Sequence, residues 1–318
     1  MNFKILFIDS VHPSLQKELE KAGFQCDLKY DLSKEQITDS IKDYQGVIIR
    51  SKIKLTKEII DKAVQFQFIA RVGSGMENID VEYAESKGIK CLHAPEGNRD
   101  AVAEHAIGML LALFNNIVKA NHEVRKGEWT REGNRGVELA GKTVGILGYG
   151  NMGSAFAKRL EGFNVHVLAY DKYKKKYSDG HVKECTLTEL FEQTDVLSIH
   201  IPLTEESLFM INDQFINSFK KNIYIINTAR GKVLKTEDLV KSMKSGKITG
   251  ACLDVLEYED VSFEKLNSEL KTQSSELGYL INSSKTILTP HIAGWTHESN
   301  KKMALILAEK IKELFGNM

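Results

Sequence analysis

The segment from Gly148 to Gly153 reads GYGNMG, a glycine spacing suited to binding the pyrophosphate of a dinucleotide. Gly148 permits a tight turn, Gly150 lets a phosphate approach the backbone, and Gly153 lets a helix pack closely on a strand. Asp171 follows eighteen residues after Gly153 and would accept hydrogen bonds from the ribose hydroxyls of the adenosine. Because a carboxylate repels a 2′-phosphate, the segment predicts NAD rather than NADP as the cofactor.

These residues require a strand before the turn, a helix after it and a second strand that ends at the acid. The sequence predicts these elements at Val144–Leu147, Ser154–Leu160 and Val165–Tyr170. Strands and helices alternate in the same way along the rest of the chain, which is typical of parallel sheets covered by helices. The expected fold is therefore α/β, with two doubly wound parallel-sheet domains.

Two helices set the expected domain boundaries. The stretch Ala101–Val118 is apolar nearly all round, which predicts a helix buried on all sides. The amphipathic tail Ser299–Phe315 follows the last strand of the middle sheet and could return to the first domain. These features predict a discontinuous, flavodoxin-like substrate-binding domain, residues 1–98 with 295–318, and an inserted Rossmann NAD-binding domain, residues 99–294.

The composition argues against several classes of partner. Of 318 residues, 43 are Lys or Arg and 43 are Asp or Glu, so neither a nucleic acid nor a membrane surface is an expected partner. The longest apolar stretch, Ala106–Phe114, is too short to span a bilayer, and the N-terminus lacks the features of a signal peptide. The four cysteines are dispersed without metal-ligand spacing, so we expect reduced thiols, a cytoplasmic location and no bound metal.

Several segments, taken together and in this order, resemble the D-isomer-specific 2-hydroxyacid dehydrogenases, and within that family the phosphoglycerate dehydrogenase branch. They cover nearly the whole chain and are more specific as a set than the glycine motif alone. The segments are IIRSKIKLT (48–56), ARVGSGMENID (70–80), APEGNRDAVAEHAIGMLLAL (94–113), GILGYGNMG (145–153), DVLSIHIPLTEES (195–207), INTARGKVL (226–234), GACLDVLEYE (250–259) and TPHIAGWT (289–296).

The resemblance implies a catalytic arginine at Arg230, a glutamate at Glu259 and a histidine at His291. A histidine can exchange a proton with the substrate hydroxyl, while a carboxylate on its other ring nitrogen orients the ring and stabilises its charged form. An arginine can bind a substrate carboxylate through two parallel hydrogen bonds. Glu257 and Asp260 stay open as alternatives to Glu259, because the proline that usually follows this glutamate in the family is replaced here by Asp260.

The resemblance also implies further contacts to the cofactor and to the substrate. For NAD, in addition to the three glycines, Asp171, Arg230 and His291, they are Ser74, Asn151, Met152, Ile201, Pro202, Thr228, Ala229, Asp254 and Gly294. For the substrate, together with Arg230 and His291, they are the backbone of Ser74 and Gly75 for a carboxylate, and Arg50 with Ser51 for a phosphate. Arg71 and Arg131 are alternative phosphate-binding residues.

The implied activity is hydride transfer between a D-2-hydroxy acid and NAD, foremost the oxidation of 3-phosphoglycerate to 3-phosphohydroxypyruvate in serine biosynthesis. A glyoxylate or hydroxypyruvate reductase and a D-lactate dehydrogenase stay open within the family, and an NAD-sensing corepressor-like protein stays open outside the enzymes. The segment Asn121–Glu138, with Trp129, resembles the family's dimerisation arm, so we expect a homodimer. Because the chain ends after Ser299–Phe315, we expect no C-terminal regulatory domain.

Overall fold

The computed structural model describes residues 3–259 and 275–316. The chain divides into two compact units, one formed by Met1–Asn98 with Trp295–Met318 and the other by Arg99–Gly294. Each unit is built around its own sheet, of five strands in the first unit and seven in the second, and every described strand pair is parallel. This architecture confirms the prediction of an α/β protein with two parallel-sheet domains.

The first unit begins with β1 (Lys4–Phe7), α1 (Ser14–Lys21), β2 (Gln25–Leu28), α2 (Lys34–Ser40), β3 (Gly46–Ile49), α3 (Lys57–Lys62), β4 (Phe68–Arg71), α4 (Val81–Ser86) and β5 (Lys90–His93). The strand order is β2-β1-β3-β4-β5. Alternate residues of β1 enter two different apolar clusters, because successive side chains of a strand point to opposite faces. One cluster includes the C-terminal helix, His297–Phe315, whose Phe315 ring lies 5.2 Å from the ring of Phe68.

The second unit contains α5 (Arg99–Phe114), α6 (Ile117–Arg125), β6 (Thr143–Leu147), α7 (Asn151–Arg159), β7 (His166–Tyr170), β8 (Val182–Glu184), α8 (Leu187–Gln193), β9 (Val196–Ile199), α9 (Asp213–Asn217), β10 (Ile223–Asn227), α10 (Thr236–Lys244), β11 (Ile248–Leu253), α11 (Ser275–Asn282) and β12 (Thr286–Leu288). The strand order is β12-β11-β10-β9-β6-β7-β8. Successive strand residues again divide between two apolar clusters, so both faces of this sheet are covered.

The sequence does not predict β2 or β8, which are short strands at the edges of the two sheets. Their residues are mostly polar and partly exposed, so neither strand forms the apolar run that marks a central parallel strand. Central strands such as β9 are buried at every position and are apolar enough to recognise from sequence. The edge strands therefore depend on pairing that local sequence does not reveal.

The predicted helix Ala101–Val118 is wrong at its C-terminal end. The described helix α5 ends at Phe114, Asn116 adopts a left-handed φ of 52°, and α6 begins at Ile117 after a bend of 61°. As a result, Ile117 and Val118 are 53% and 56% exposed instead of buried. No single helix in the described ranges is long and apolar enough to cross a membrane, and only the bent pair α5 and α6 meets that test together.

Gly153→Ala should destabilise the second unit, because the added Cβ would overlap the backbone carbonyl of Gly148. Overpacking of this kind costs roughly 1–3 kcal/mol of unfolding free energy. Gly108→Ala is the matched control, since Gly108 is an exposed position of α5 with open space around it. Alanine there should stabilise the helix by roughly 0.5–1 kcal/mol. Denaturant unfolding measures both variants, and equal shifts would contradict the packing argument.

Candidate active site

The glycine turn lies at the carboxyl end of β6 and leads directly into α7, whose first residues are Asn151 and Met152. Gly148 has a φ of 94°, and a Cβ there would lie 2.8 Å from the carbonyl oxygen of His200. The position therefore requires glycine. Gly150 has open space at its α-carbon and is the N-cap of α7, where it supplies no capping side chain. A phosphate can thus approach the first N–H groups of the helix without displacing a side chain.

Asp171 is tied to the glycine turn through backbone amides. Its carboxylate accepts hydrogen bonds from the N–H of Tyr149 at 2.8 Å and from the N–H groups of Tyr173 and Lys174 at 2.9 Å each. Burial raises the pKa of Asp171, but the amides of Lys174, Tyr149 and Tyr173 outweigh burial and hold that pKa below its usual value. Asp171 is therefore ionised at neutral pH and keeps a negative charge beside the turn, as an NAD site requires.

Other predicted cofactor residues follow neighbouring strands of the same sheet. Ile201 and Pro202 come after β9, and Thr228 and Ala229 come after β10. Because β6, β9 and β10 are adjacent and parallel, these residues lie along the same edge of the sheet as the glycine turn. Thr228 is buried, and its Oγ1 has no hydrogen-bond partner among the residues that the structure describes. This edge therefore presents a buried polar atom that a bound dinucleotide can satisfy.

Asp254, which is predicted to contact the cofactor, holds the loop that carries His291. The side chain of Asp254 is buried, and it accepts hydrogen bonds from Thr289 Oγ1 at 2.6 Å and from the N–H groups of Ile292 and Ala293 at 2.9 and 2.8 Å. Its own carbonyl oxygen accepts the N–H of His291 at 2.7 Å. The Oδ1 atom also lies 3.6 Å from His105 Nε2 of α5, so Asp254 holds the loop of His291 beside that helix.

His291 and Glu259 are hydrogen-bonded to each other. The distance from His291 Nδ1 to Glu259 Oε2 is 2.8 Å, and Glu259 Oε1 accepts the N–H of Leu256 at 2.6 Å. Because the carboxylate can only accept, the bonded ring nitrogen carries the proton and Nε2 is the ring atom that can exchange one. His291 also has a left-handed φ of 56°, a strained conformation that clusters at functional sites. Gly294, three residues later, is the last residue of the second unit.

The structure distinguishes Glu259 from one of its two alternatives. Glu257 Oε2 accepts the N–H of Thr236 at 2.8 Å, and Thr236 is the first residue of α10. Glu257 is therefore occupied as a cap at the start of that helix. Asp260 lies outside the described residues. Of the two described acids, only Glu259 is hydrogen-bonded to the histidine.

Arg230 follows β10 on a turn that is fixed by its neighbours. The side chain of Asn227 accepts the N–H of Ala229 at 3.0 Å and donates to the carbonyl oxygen of Arg230 at 3.1 Å. A Cβ on Gly231 would overlap the carbonyl of Leu256, so the turn packs backbone to backbone against the loop that leads to Glu259. The sequence-predicted arginine, glutamate and histidine therefore belong to connected loops of one unit.

The predicted carboxylate-binding loop lies in the first unit. The carbonyl oxygen of Ser74 is 2.6 Å from His93 Nδ1, and that of Gly75 accepts a hydrogen bond from Arg71 Nη1 at 2.7 Å. These contacts fix the carbonyl groups of the loop. The N–H groups of Ser74 and Gly75 make no hydrogen bond within residues 3–259 and 275–316. They form a small set of donors of the kind that binds an anion.

Two of the predicted phosphate-binding arginines differ in role. Arg71 bridges two loops, because its Nε donates to the carbonyl oxygen of Arg50 at 3.0 Å while its Nη1 bonds Gly75. Arg71 thus positions the loop, and its expected role in phosphate binding stays a prediction. The guanidinium of Arg50 lies 4.9 Å from the ring centre of Trp295, which is 71% exposed. Ser51, the next residue, is only partly exposed.

The sequence analysis does not identify His93, which contacts Ser74, or Trp295, which contacts Arg50. It names Arg131 as an alternative phosphate-binding residue. Trp295 belongs to the segment TPHIAGWT, which the sequence analysis does single out. The structure adds that this large aromatic is exposed, which is unusual. No comparable signal marks His93, whose contact spans nineteen residues. Arg131 is an exposed residue of the second unit.

Comparison with known proteins identifies the family of the second unit. The family model for "D-isomer specific 2-hydroxyacid dehydrogenase, NAD binding domain" matches residues 107–293. This match agrees with the prediction of NAD as the cofactor. Among solved structures, the D-lactate dehydrogenase of Aquifex aeolicus, complexed with NAD and lactic acid, is similar at a TM-score of 0.82 and 27% identity, over 99% of this chain and 96% of that one.

Curated relatives extend the similarity to both units. The D-3-phosphoglycerate dehydrogenase of Methanocaldococcus jannaschii is 35% identical over 98% of this chain, but the match covers only 57% of the relative. This chain therefore spans a little over half the length of that relative. The hydroxypyruvate reductase of Thermotoga maritima is 36% identical over 89% of both chains.

The position of Asp171 predicts that the protein binds NADH at least roughly tenfold more tightly than NADPH, since tenfold corresponds to about 1.4 kcal/mol of charge repulsion. Asp171→Asn should reduce this preference mainly by improving NADPH binding, because the amide keeps the size of the side chain without its charge. Titration of cofactor fluorescence gives the four dissociation constants. Tighter binding of NADPH by the unmodified protein would contradict the assignment of Asp171.

Proposed function

This chain belongs to the D-isomer specific 2-hydroxyacid dehydrogenase family, and from that premise we propose that it transfers hydride between a D-2-hydroxy acid and NAD. The observation that carries this proposal is the 2.8 Å hydrogen bond between His291 and Glu259 in the same unit as the NAD-binding turn. A histidine held by a carboxylate, on a strained loop, is a general acid–base arrangement.

In the oxidative direction, His291 Nε2 accepts the proton of the substrate hydroxyl. The bound NAD supplies the hydride acceptor. Glu259 stabilises the imidazolium that results, because its carboxylate already accepts the Nδ1 hydrogen. Arg230 binds the substrate carboxylate and polarises the oxygen that becomes the keto group. In the reductive direction the same histidine returns the proton.

We assign the inserted second unit, residues 99–294, to NAD binding and the first unit to substrate binding. Two features of the first unit support this assignment. The N–H groups of Ser74 and Gly75 suit the carboxylate of the substrate, and their loop is fixed by Arg71 and His93. The guanidinium of Arg50 carries a permanent positive charge that suits a phosphate.

Within the family, we propose 3-phosphoglycerate as the substrate and serine biosynthesis as the process that uses the product. The proposal is supported by the similarity to a phosphoglycerate dehydrogenase and by the charge of Arg50. The second candidate is a hydroxypyruvate or glyoxylate reductase. It is favoured by the similarity to the hydroxypyruvate reductase of Thermotoga maritima, most of whose length is covered by the match. A D-lactate dehydrogenase is a third candidate by structural similarity. The described acid–base pair argues against a corepressor without activity.

We further propose that the second unit forms a homodimer through α6 and the segment that follows it. Helix α6 has no buried residue, and its apolar Ile117, Val118 and Val124 are half exposed. Trp129 is 80% exposed, and Val137 beyond it is 40% exposed. Exposed apolar side chains that follow one another along a segment are typical of a surface covered by a partner subunit.

His291→Ala should lower kcat by roughly a hundredfold to ten-thousandfold, the usual contribution of a general acid or base, with NADH affinity nearly unchanged. Glu259→Gln should have a smaller effect on kcat. Glu257→Gln is the matched control, since that carboxylate caps α10. Steady-state kinetics measure all three, and an unchanged kcat in Glu259→Gln would exclude this pairing.

Arg50→Ala should raise KM for 3-phosphoglycerate roughly tenfold to a hundredfold, since a charged hydrogen bond contributes about 1.5–3 kcal/mol. It should barely change KM for glyoxylate, which has no phosphate. Lys54→Ala removes an exposed cation four residues away and serves as the control for general charge. Equal effects of Arg50→Ala on both substrates would assign this arginine a structural role. Faster turnover of glyoxylate by the unmodified protein would instead favour the second candidate.

A further inference from the structure

A run of lysines follows the ribose-binding acid and is not explained by the proposed function. Lys172, Lys174, Lys175 and Lys176 follow Asp171 within five positions. Enzymes that bind NADP use a cation near this acid to hold the 2′-phosphate. The run could therefore weaken the preference for NAD, and the contacts of each lysine decide whether it does.

Two of these lysines direct Nζ to backbone carbonyl oxygens, and a third is held through its backbone N–H. The Nζ atom of Lys174 donates to the carbonyl oxygen of Tyr149 at 3.3 Å and lies 5.1 Å from the centre of that ring. Lys175 Nζ donates to the carbonyl oxygen of Asp171 at 3.1 Å. Lys176 has a left-handed φ of 60°, and its backbone N–H donates a hydrogen bond to Glu184 Oε2 at 2.7 Å. These contacts fold the run back onto the second unit.

Lys172, the residue directly after Asp171, is bound differently. Its Nζ forms an ion pair with the carboxylate of Glu206, which lies on the segment after β9. The other oxygen of Glu206 accepts a hydrogen bond from Tyr173 Oη at 3.0 Å. Glu206 therefore binds two consecutive side chains next to the acid that would contact the ribose. Both members of the ion pair are about half exposed, at 53% and 55%, so a ligand can reach the lysine once Glu206 no longer binds it.

We propose that Glu206 determines cofactor specificity together with Asp171, by neutralising Lys172 and keeping it from a 2′-phosphate. Asp171 repels the phosphate directly, whereas Glu206 removes the cation that could compensate. The inference rests only on the nucleotide-binding part of the proposed function. It requires no assumption about the 2-hydroxy acid, so cofactor binding without substrate can test it.

The test compares the dissociation constants of NADH and NADPH for four proteins: the unmodified chain, Glu206→Gln, Lys172→Ala and the double variant. We expect Glu206→Gln to bind NADPH roughly threefold to tenfold more tightly while NADH binding stays within twofold, because a released lysine can form a charge-assisted hydrogen bond with the phosphate. In the Lys172→Ala background, the same substitution should give little gain. Glu192→Gln is the matched control, since Glu192 forms an exposed ion pair with Lys220 at 2.8 Å in the same unit.

Three outcomes would overturn the proposal. An unchanged NADPH affinity in Glu206→Gln would show that Lys172 does not reach the phosphate even when released. An equal gain with and without Lys172 would show that Glu206 acts by its own charge. A similar gain in Glu192→Gln would show that the effect follows net charge alone. Circular dichroism and thermal unfolding of each variant establish that it is folded, and turnover of any 2-hydroxy acid is measured separately to test the proposed function.

Discussion

The active site depends on one buried carboxylate, that of Asp254. Its oxygens accept hydrogen bonds from one hydroxyl and two backbone amides of the loop after β12, and its carbonyl oxygen accepts the N–H of His291. A buried charge is tolerated only when such bonds replace its hydration. The loop must therefore wrap around Asp254, and this wrapping holds His291 in a left-handed conformation that a residue with a side chain rarely adopts. The position of the ring that we propose transfers the proton thus follows from satisfying a charge in the core.

The parallel sheet of the second unit explains why residues far apart in sequence cooperate. The turns after β6, β9, β10 and β11 all leave the sheet at one edge, since adjacent strands run in the same direction. The glycine turn follows β6, Thr228 and Arg230 follow β10, and Asp254 follows β11. Gly231 then allows the turn of Arg230 to pack against the backbone of the loop after β11. The parallel sheet brings these residues close together, and local hydrogen bonds orient them.

Much of this arrangement could be predicted from sequence, because central strands and the glycine turn are specified locally. The edge strands β2 and β8 could not, since their polar residues gain strand structure only from a neighbour. The break at Asn116 was missed because apolar residues continue on its far side, although they lie exposed in the structure. Composition likewise does not distinguish Glu257 from Glu259, which are identical in chemistry and two positions apart. The two are distinguished only by the group that each carboxylate binds in the structure. Glu257 caps a helix, whereas Glu259 is hydrogen-bonded to the histidine.

Catalysis and specificity are placed in environments of opposite character. The groups that we propose move the proton are held by buried or partly buried bonds, because an imidazole that changes charge needs a fixed partner to keep its orientation. The groups beside Asp171 lie in exposed ion pairs, whose net strength is small and which water and salt weaken. A substitution in the first group perturbs the backbone that positions it. A substitution in the second group changes only a charge at the surface, so cofactor preference can change while the catalytic loops keep their structure.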